Sequence, residues 1–334
     1  ERVAKGRGFH HWELDFATVF ARGGFDLQVG NPPWVRPAAD VDSLLAEGDP
    51  WWQLAVKPSE DERRSRMALT LALEGITAFV LDGTVDVIGI REFLGTGTNY
   101  PHLAALQPDL YRCFMAQVWR HASSSGISSL IHPESHFTEE RAGHLRSATY
   151  GHLRRHWQFI NELTLFEVHH LVSYGVHIYG ATGRVEFFQA TGLYHPETVE
   201  RSFVHDGSGP EPGMKDGAGN WDRRPHRGRL IHVDDTMLET WRDLLDSPEM
   251  PASATRMLYT VNHAAAPTLA TMSRQNRVGS SGLRFSSGWH EKSDRAKGRF
   301  ESRWGQAEWK DAILQGPHLH VAADVAAVTG NKAD

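Results

Sequence analysis

The residues best suited to chemistry lie in the stretch FDLQVGNPPWVRP, residues 25–37. Asn31 offers a side-chain carbonyl. The main-chain carbonyl of Pro32, stiffened by the Pro32–Pro33 step, offers a second acceptor with a fixed direction. Two acceptors one hydrogen-bond length from a planar amino group can hold both of its hydrogens. The nitrogen of such a group on a base is a poor nucleophile, because its lone pair is delocalised into the ring. Gripping both hydrogens biases it toward a pyramidal shape and frees the lone pair. Trp34 adds a face on which a flat ring stacks, worth about 1–3 kcal/mol per base. No acid, base or metal is needed if the electrophile arrives activated, as a sulfonium methyl does. Asn31, Pro32, Pro33 and Trp34 therefore fit methyl transfer to an amino group on a flat ring.

Other reactive residue types lack partners in the sequence. His169, His170 and His177 fall near one another, but no cysteine and no close carboxylate pattern completes a metal set, so no metal site is expected. Glu134 and His136 have the spacing of an acid–base pair, yet they stand at a strand end that reads as a structural turn. Ser173 has no evident activating partner. No restriction-nuclease signature is visible.

A basic stretch follows late in the chain. Arg274, Arg277, Arg284, Lys292, Arg295, Lys297, Arg299, Arg303 and Lys310 outnumber Glu291, Asp294, Glu301 and Glu308, nine against four, in a chain whose net charge is -6. Phe285, Trp289, Phe300, Trp304 and Trp309 are interleaved with them. Arg and Lys in this density suit phosphate contacts, with a few other side chains left to read base edges. A solvated surface loop is the alternative.

These residues need elements to position them. The chain has 334 residues, 40% hydrophobic and 23% charged, enough for one large or two medium domains. Cys113 is the single cysteine, which excludes a disulfide framework and fits a reducing compartment. No apolar run is long enough to span a bilayer. No signal peptide is seen, and the first residue is Glu rather than Met, so the sequence reads as starting inside a longer gene product. Phe25, Leu27 and Val29 alternate as a strand does. Residues 61–81 are helical in composition behind a cap-like Ser59. Leu110, Phe114 and Val118 mark an amphipathic helix over 109–121. Residues 125–133 read as a buried strand closed by Pro133, and 139–157 as a second helix. Residues 159–167, 172–180 and 185–192 read as three further strands. This order predicts an α/β fold, a parallel sheet with antiparallel strands at its edge. Residues 193–228, rich in Gly, Pro and charge, read as a linker or long loop. A second domain then starts near 229, with helices near 234–246 and 248–258.

In an open α/β sheet the reactive groups sit just beyond the carboxyl ends of strands, where Asn31–Trp34 stand. The sequence here resembles the N6-adenine DNA methyltransferases of the large fused restriction–modification and phage-defence enzymes. NPPW at 31–34 matches their (D/N/S)PP(Y/F/W) motif. The lead-in 10–34, the segment IHPESHFTEERAGHLR at 131–146 and the hairpin region FINELTLFEVHHLVSYGVHIYG at 159–180 are similar to theirs, and so is AILQGPHLHVA at 312–322. The resemblance implies the carboxyl-side part of a Rossmann-like class I methyltransferase sheet. It assigns 1–192 to a partial catalytic domain with an insertion at about 35–108, and 229–334 to the start of a DNA target-recognition domain. It further implies Asn31 and Pro32 as the amino grip, and Phe166, with Tyr174 behind it, as the second ring that stacks on a flipped adenine opposite Trp34. Arg274, Arg277, Arg284, Lys292, Arg299 and Arg303 become DNA contacts. Double-stranded DNA is the implied partner, with other restriction or defence subunits, in the cytoplasm of a prokaryote. The implied cofactor is S-adenosylmethionine. The family's glycine-rich turn and acidic ribose partner are missing ahead of Asn31. GTGTNYP at 95–101 is the other glycine-rich candidate, so most of the cofactor site is expected upstream. Two rival expectations are a protein glutamine methyltransferase, which grips a planar amide in the same way, and a catalytically dead methylase piece that binds DNA or a partner.

Overall fold

The computed structural model describes residues 11–283 and 290–299. The chain forms two compact units, Glu1–Gln275 and Asn276–Asp334. The first is built on a six-stranded mixed sheet in the order β1-β2-β4-β3-β5-β6. Its strands are β1 (Phe25–Gly30), β2 (Ala122–His132), β3 (Leu153–Ile160), β4 (Ser173–Tyr179), β5 (Glu186–Leu193) and β6 (Ile231–Asp234). β1 pairs with β2, and β3 with β5, in parallel; β4 runs antiparallel to both β2 and β3, and β6 antiparallel to β5. The antiparallel β4 therefore lies inside the sheet rather than at its edge, so the expected parallel sheet with antiparallel edge strands becomes a mixed one. No helix among the described residues is long and apolar enough to cross a membrane.

The register of β1 on β2 slips between Phe25 and Leu27. Gly126 makes this bulge possible: a Cβ there would lie 2.4 Å from the Phe25 carbonyl oxygen. Beyond the bulge, Leu27 to Gly30 pair in step with Ile127 to Leu130.

Four helices follow β1: α1 (Val41–Ala46), α2 (Trp51–Leu54), α3 (Glu60–Leu71) and α4 (Ile76–Gly95). They enclose a small core of Leu45, Trp52 and Val80. Ser59 caps α3 as its sequence suggests, in a capping box with Glu62. The single helix expected over 61–81 breaks at Gly75, whose φ of +78° lies in the left-handed region.

Helix α5 (Leu110–His121) leads directly into β2, α6 (Gly143–His152) into β3, and α7 (Pro196–Phe203) follows β5. The helix expected over 139–157 ends at His152 because Leu153, Trp157 and Phe159 are buried side chains of β3. The strand expected over 159–167 survives only as Phe159 and Ile160. Asn161 then turns the chain into a short 3₁₀ segment.

The main core packs helices on one sheet face: Tyr111 and Met115 of α5 and Tyr150 of α6 meet Leu130, Tyr179, Phe187 and Val233. Helix α8 (Asp235–Leu245) adds Leu238 and Trp241 to this same core. The boundary expected near 229 is therefore displaced. β6 pairs with β5, α8 is buried against the sheet, and the first compact unit continues to Gln275. Residues 193–228 are not a free linker either. Val199 of α7 packs in a core, and Asp222, 2% exposed, pairs with Arg224 at 2.6 Å. Of the two helices expected after 229, the first is α8. Only a 3₁₀ turn, Ala252–Ala254, occupies the second. Helix α9 (Ala265–Ser273) follows in this unit, and α10 (Glu291–Ala296) belongs to the second.

Trp241→Ala should lower the stability of the whole sheet by about 3–5 kcal/mol in urea denaturation, the cost of emptying a core tryptophan site. A loss below about 1 kcal/mol would mean that α8 is not part of this core.

Candidate active site

Asn31–Trp34 leave the carboxyl end of β1 and cross toward the end of β2. Asn31 and Pro33 are exposed, Pro32 is buried and Trp34 is half-buried. The Trp34 indole N–H donates to the Ile131 carbonyl of β2 at 3.3 Å. At the far side of the loop, Leu110 N–H donates to the Val35 carbonyl at 3.0 Å, and Arg36 pairs with Asp109 at 3.1 Å. The loop is thus anchored at β1, at β2 and at the start of α5.

Trp34 stands in an aromatic cluster on the sheet face opposite α5 and α8. Its ring lies 6.1 Å from Phe166 and 6.0 Å from Tyr174, and Phe166 meets Tyr174 edge-on at 4.8 Å. The sequence-derived stacking residues are therefore neighbours. They do not form an open slot, however: the Trp34 and Phe166 planes are tilted by 54° and the rings touch each other, leaving no space for a third ring. A flat ring would fit between them only after Phe166 moves aside.

What holds Phe166 was not apparent from the sequence. Asn161 is completely buried, and its side-chain amide donates to the carbonyls of Phe166 and Val168 at 3.0 and 2.8 Å. Its Oδ1 accepts from Phe166 N–H at 3.1 Å. The signal is a polar amide directly after Phe159 and Ile160 at the end of the strand, a place where an amide serves a turn.

A cavity of about 670 Å³ opens beside Gly30, Asn31, Pro32 and Pro33, within the size range of small-molecule sites. Leu27 and Val29 of β1 and Leu110, Cys113 and Phe114 of α5 line much of it. The Cys113 thiol is pushed up to about 12, chiefly by burial, so it stays protonated and unreactive. Tyr100 of the GTGTNYP loop reaches the same cavity. That loop follows helix α4 rather than a strand, so the strand, glycine turn and helix of a nucleotide cradle are not formed there.

The remaining sequence candidates separate. His169 and His170 are exposed on the 162–171 loop, whereas His177 is fully buried in β4. Glu134 accepts a hydrogen bond from His156 rather than from His136, and His136 Nδ1 faces the Tyr111 hydroxyl at 3.4 Å. The expected acid–base pair of Glu134 and His136 is therefore not made. The carboxylate that the sequence reading did not find for His177 is Glu134, 3.9 Å away. In the basic stretch, Arg274 and Arg277 are exposed. Arg299 is paired with Asp294 at 3.0 Å, and Lys292 falls on α10. Arg284, Arg303 and the 312–322 segment lie outside the described residues.

No protein-family model and no curated protein matches the sequence. Solved structures give distant likenesses. A type I restriction–modification methyltransferase subunit from Streptococcus thermophilus aligns at 12% identity over 26% of this chain and 19% of that one, with a TM-score of 0.22. The M protein of the type I restriction enzyme EcoKI aligns at 12% over 58% and 48%, TM-score 0.28. A type I restriction–modification assembly aligns at 11% over 81% and 59%, TM-score 0.31. This chain spans less than two thirds of each of those chains.

Asn161→Ala would leave the Phe166 N–H and the Val168 carbonyl without the Asn161 side chain, while the Phe166 carbonyl keeps the Val168 N–H, costing about 1–3 kcal/mol for each group left buried and unpaired. Amides of 162–171 should then exchange hydrogen faster while those of β3 and β4 keep their protection. Unchanged exchange in the loop would show that Asn161 does not position Phe166.

Proposed function

We propose that this chain carries the acceptor-gripping part of a DNA methyltransferase that modifies the amino group of a flipped adenine in a restriction–modification or phage-defence system. The observation that carries the proposal is the placement of Asn31-Pro32-Pro33-Trp34 at the carboxyl end of β1, with Trp34 joined to Phe166 and Tyr174. In this reading the Asn31 Oδ1 and the Pro32 carbonyl accept the two amino hydrogens. Trp34 stacks on one face of the base and Phe166, once displaced, on the other. Burial of Pro32 and the three anchors of its loop keep the acceptors fixed, so little reorganisation is needed when the nitrogen attacks.

S-adenosylmethionine would supply an activated methyl on sulfonium. The described residues fit only part of its site: the cavity beside Asn31 is lined without any Asp or Glu to hold a ribose. We assign the rest to a partner strand layer beside β1. Among the described residues β1 is a sheet edge, and its Leu27 and Val29 are 64% and 76% exposed, an apolar edge of the kind that proteins cover. Alone, the chain should therefore bind S-adenosylmethionine weakly or not at all in calorimetry. Tight binding by the chain alone would overturn the division.

The exposed Arg274 and Arg277, in this reading, contact phosphates, and the unit starting at Asn276 takes part in target recognition. Replacing both arginines with Ala should weaken binding to all duplexes alike and lower the salt slope by about 1.8, two phosphate contacts' worth. An unchanged slope would leave them as surface charges.

Asn31→Ala should cut methyl transfer by about a hundred- to a thousandfold, the loss expected for a preorganised polar contact to the reacting group. Duplex affinity should stay close to unchanged, because phosphates supply most of it. Single-turnover transfer and equilibrium binding, measured with the cofactor-binding part present, separate the two. An active Asn31→Ala protein would reduce NPPW to a turn.

A further inference from the structure

The sheet face opposite Trp34 carries a second group of polar side chains. Glu134 follows β2, His156 lies on β3 and His177 on β4. One donor atom from each falls within 4.8 Å of the others. His156 and His177 are completely buried, and Glu134 is 6% exposed. Their hydrogen bonding is incomplete among the described residues. Neither nitrogen of His177 makes a well-aligned hydrogen bond, the nearest acceptor being the Leu130 carbonyl, and Glu134 Oε2 and Oε1 of the neighbouring Gln189 have no partner. A buried polar atom left unpaired costs about 1–3 kcal/mol. Glu134 Oε2 and Gln189 Oε1 can only accept, and a neutral His177 has a lone pair to give. A cation meets that set where a further hydrogen-bond acceptor would not.

The surroundings support this. The ring of His132 stacks on His177 at 3.8 Å between centroids and fixes its plane. Gly175 passes directly over the group: a Cβ there would lie 2.2 Å from His177 Cε1 and 3.0 Å from Glu134 Oε1.

We propose that Glu134, His156 and His177 form a site for a divalent transition-metal ion, with zinc the ion that two imidazoles and one carboxylate suit best. Zinc–nitrogen and zinc–oxygen bonds of about 2.0–2.2 Å set tetrahedral donors about 3.3–3.5 Å apart. His177 Nε2 and Glu134 Oε1, now 3.9 Å apart, need to close only slightly. His156 now donates Nε2–H to Glu134, while its Nδ1 faces the Gln189 amide at 3.4 Å. On metal binding the proton moves from Nε2 to Nδ1 and the imidazole stays neutral. A flip of the Gln189 amide then lets Oε1, the unpaired atom, accept from Nδ1–H. This is the outer hydrogen bond that metal-bound histidines ordinarily make.

The test uses tag-free full chain, stripped with chelating resin and titrated with zinc, with metal content read by mass spectrometry and cobalt(II) as the visible probe. One zinc per chain is expected, with cobalt giving ligand-field bands in the visible. Gln189→Leu keeps the volume and should weaken zinc binding 10- to 100-fold. His177→Ala should abolish stoichiometric uptake, and the exposed pair variant His169→Ala/His170→Ala should leave it intact. Zinc should raise the Tm of the wild type and not that of Glu134→Gln. If His177→Ala does not fold, Gln189→Leu and the Tm comparison decide. Uptake lost in the His169/His170 variant, affinity unchanged in Gln189→Leu, or no stoichiometric zinc in the wild type would each overturn the proposal.

Discussion

The parallel pairing of β1 with β2, closed at its carboxyl end by the Trp34 indole bond to Ile131, is the constraint on which the rest depends. It fixes where Asn31 and Pro32 leave the sheet. It also brings Trp34 across β2 to the aromatic residues of β4 and the 162–171 loop. A parallel pair needs a long crossover. Here helices α1–α4 and α5 supply it, and the Arg36–Asp109 pair ties the crossover back to the loop it serves. A slip of one residue in β1 would turn Leu27 and Val29 to the other face and move Asn31 off its position. The bulge at Gly126 holds the register against that slip.

β4 divides two kinds of chemistry between its faces. Alternation sends Tyr174 and Val176 into the core that contains Trp34 and Phe166, and sends His177 and Tyr179 to the opposite face. The first face offers a flat apolar surface, suited to a planar ring. The second is closed to solvent and holds four histidines and one carboxylate, suited to an ion. One strand can serve both because period two separates them completely.

Much of the frame was legible in the sequence. β1 announces itself by alternation, β2 as a buried run closed by Pro133, β4 and β5 as two strand-like runs in quick succession, and α5 by its four-residue apolar spacing. The alternation ahead of it places NPPW at a strand end. The failures have physical causes. Charged Arg154 and Arg155 disguised β3 as the tail of a helix, although Leu153, Trp157 and Phe159 are buried. The segment 193–228 reads as a linker because its Gly, Pro and charge content does not reveal that Asp222 is buried, paired with Arg224 inside the segment and with Arg229 just beyond it. β6 was too short to signal itself, and with it the membership of α8 in the first core. The Glu134–His156–His177 group was invisible because its members come from three different elements, and the exposed His169–His170 pair drew attention away. Asn161 showed only as a polar residue at a strand end, since its role lies in bonds to a loop that sequence does not place.

The proposed function requires Asn31 and Pro32 to grip an amino group. The most direct test is single-turnover transfer of a labelled methyl from S-adenosylmethionine to duplex DNA by the chain together with its cofactor-binding part, with the product nucleoside identified by mass spectrometry. The account predicts label on the exocyclic nitrogen of adenine and nowhere else in the duplex. Label on a cytosine carbon, or on a protein glutamine in place of DNA, would contradict it.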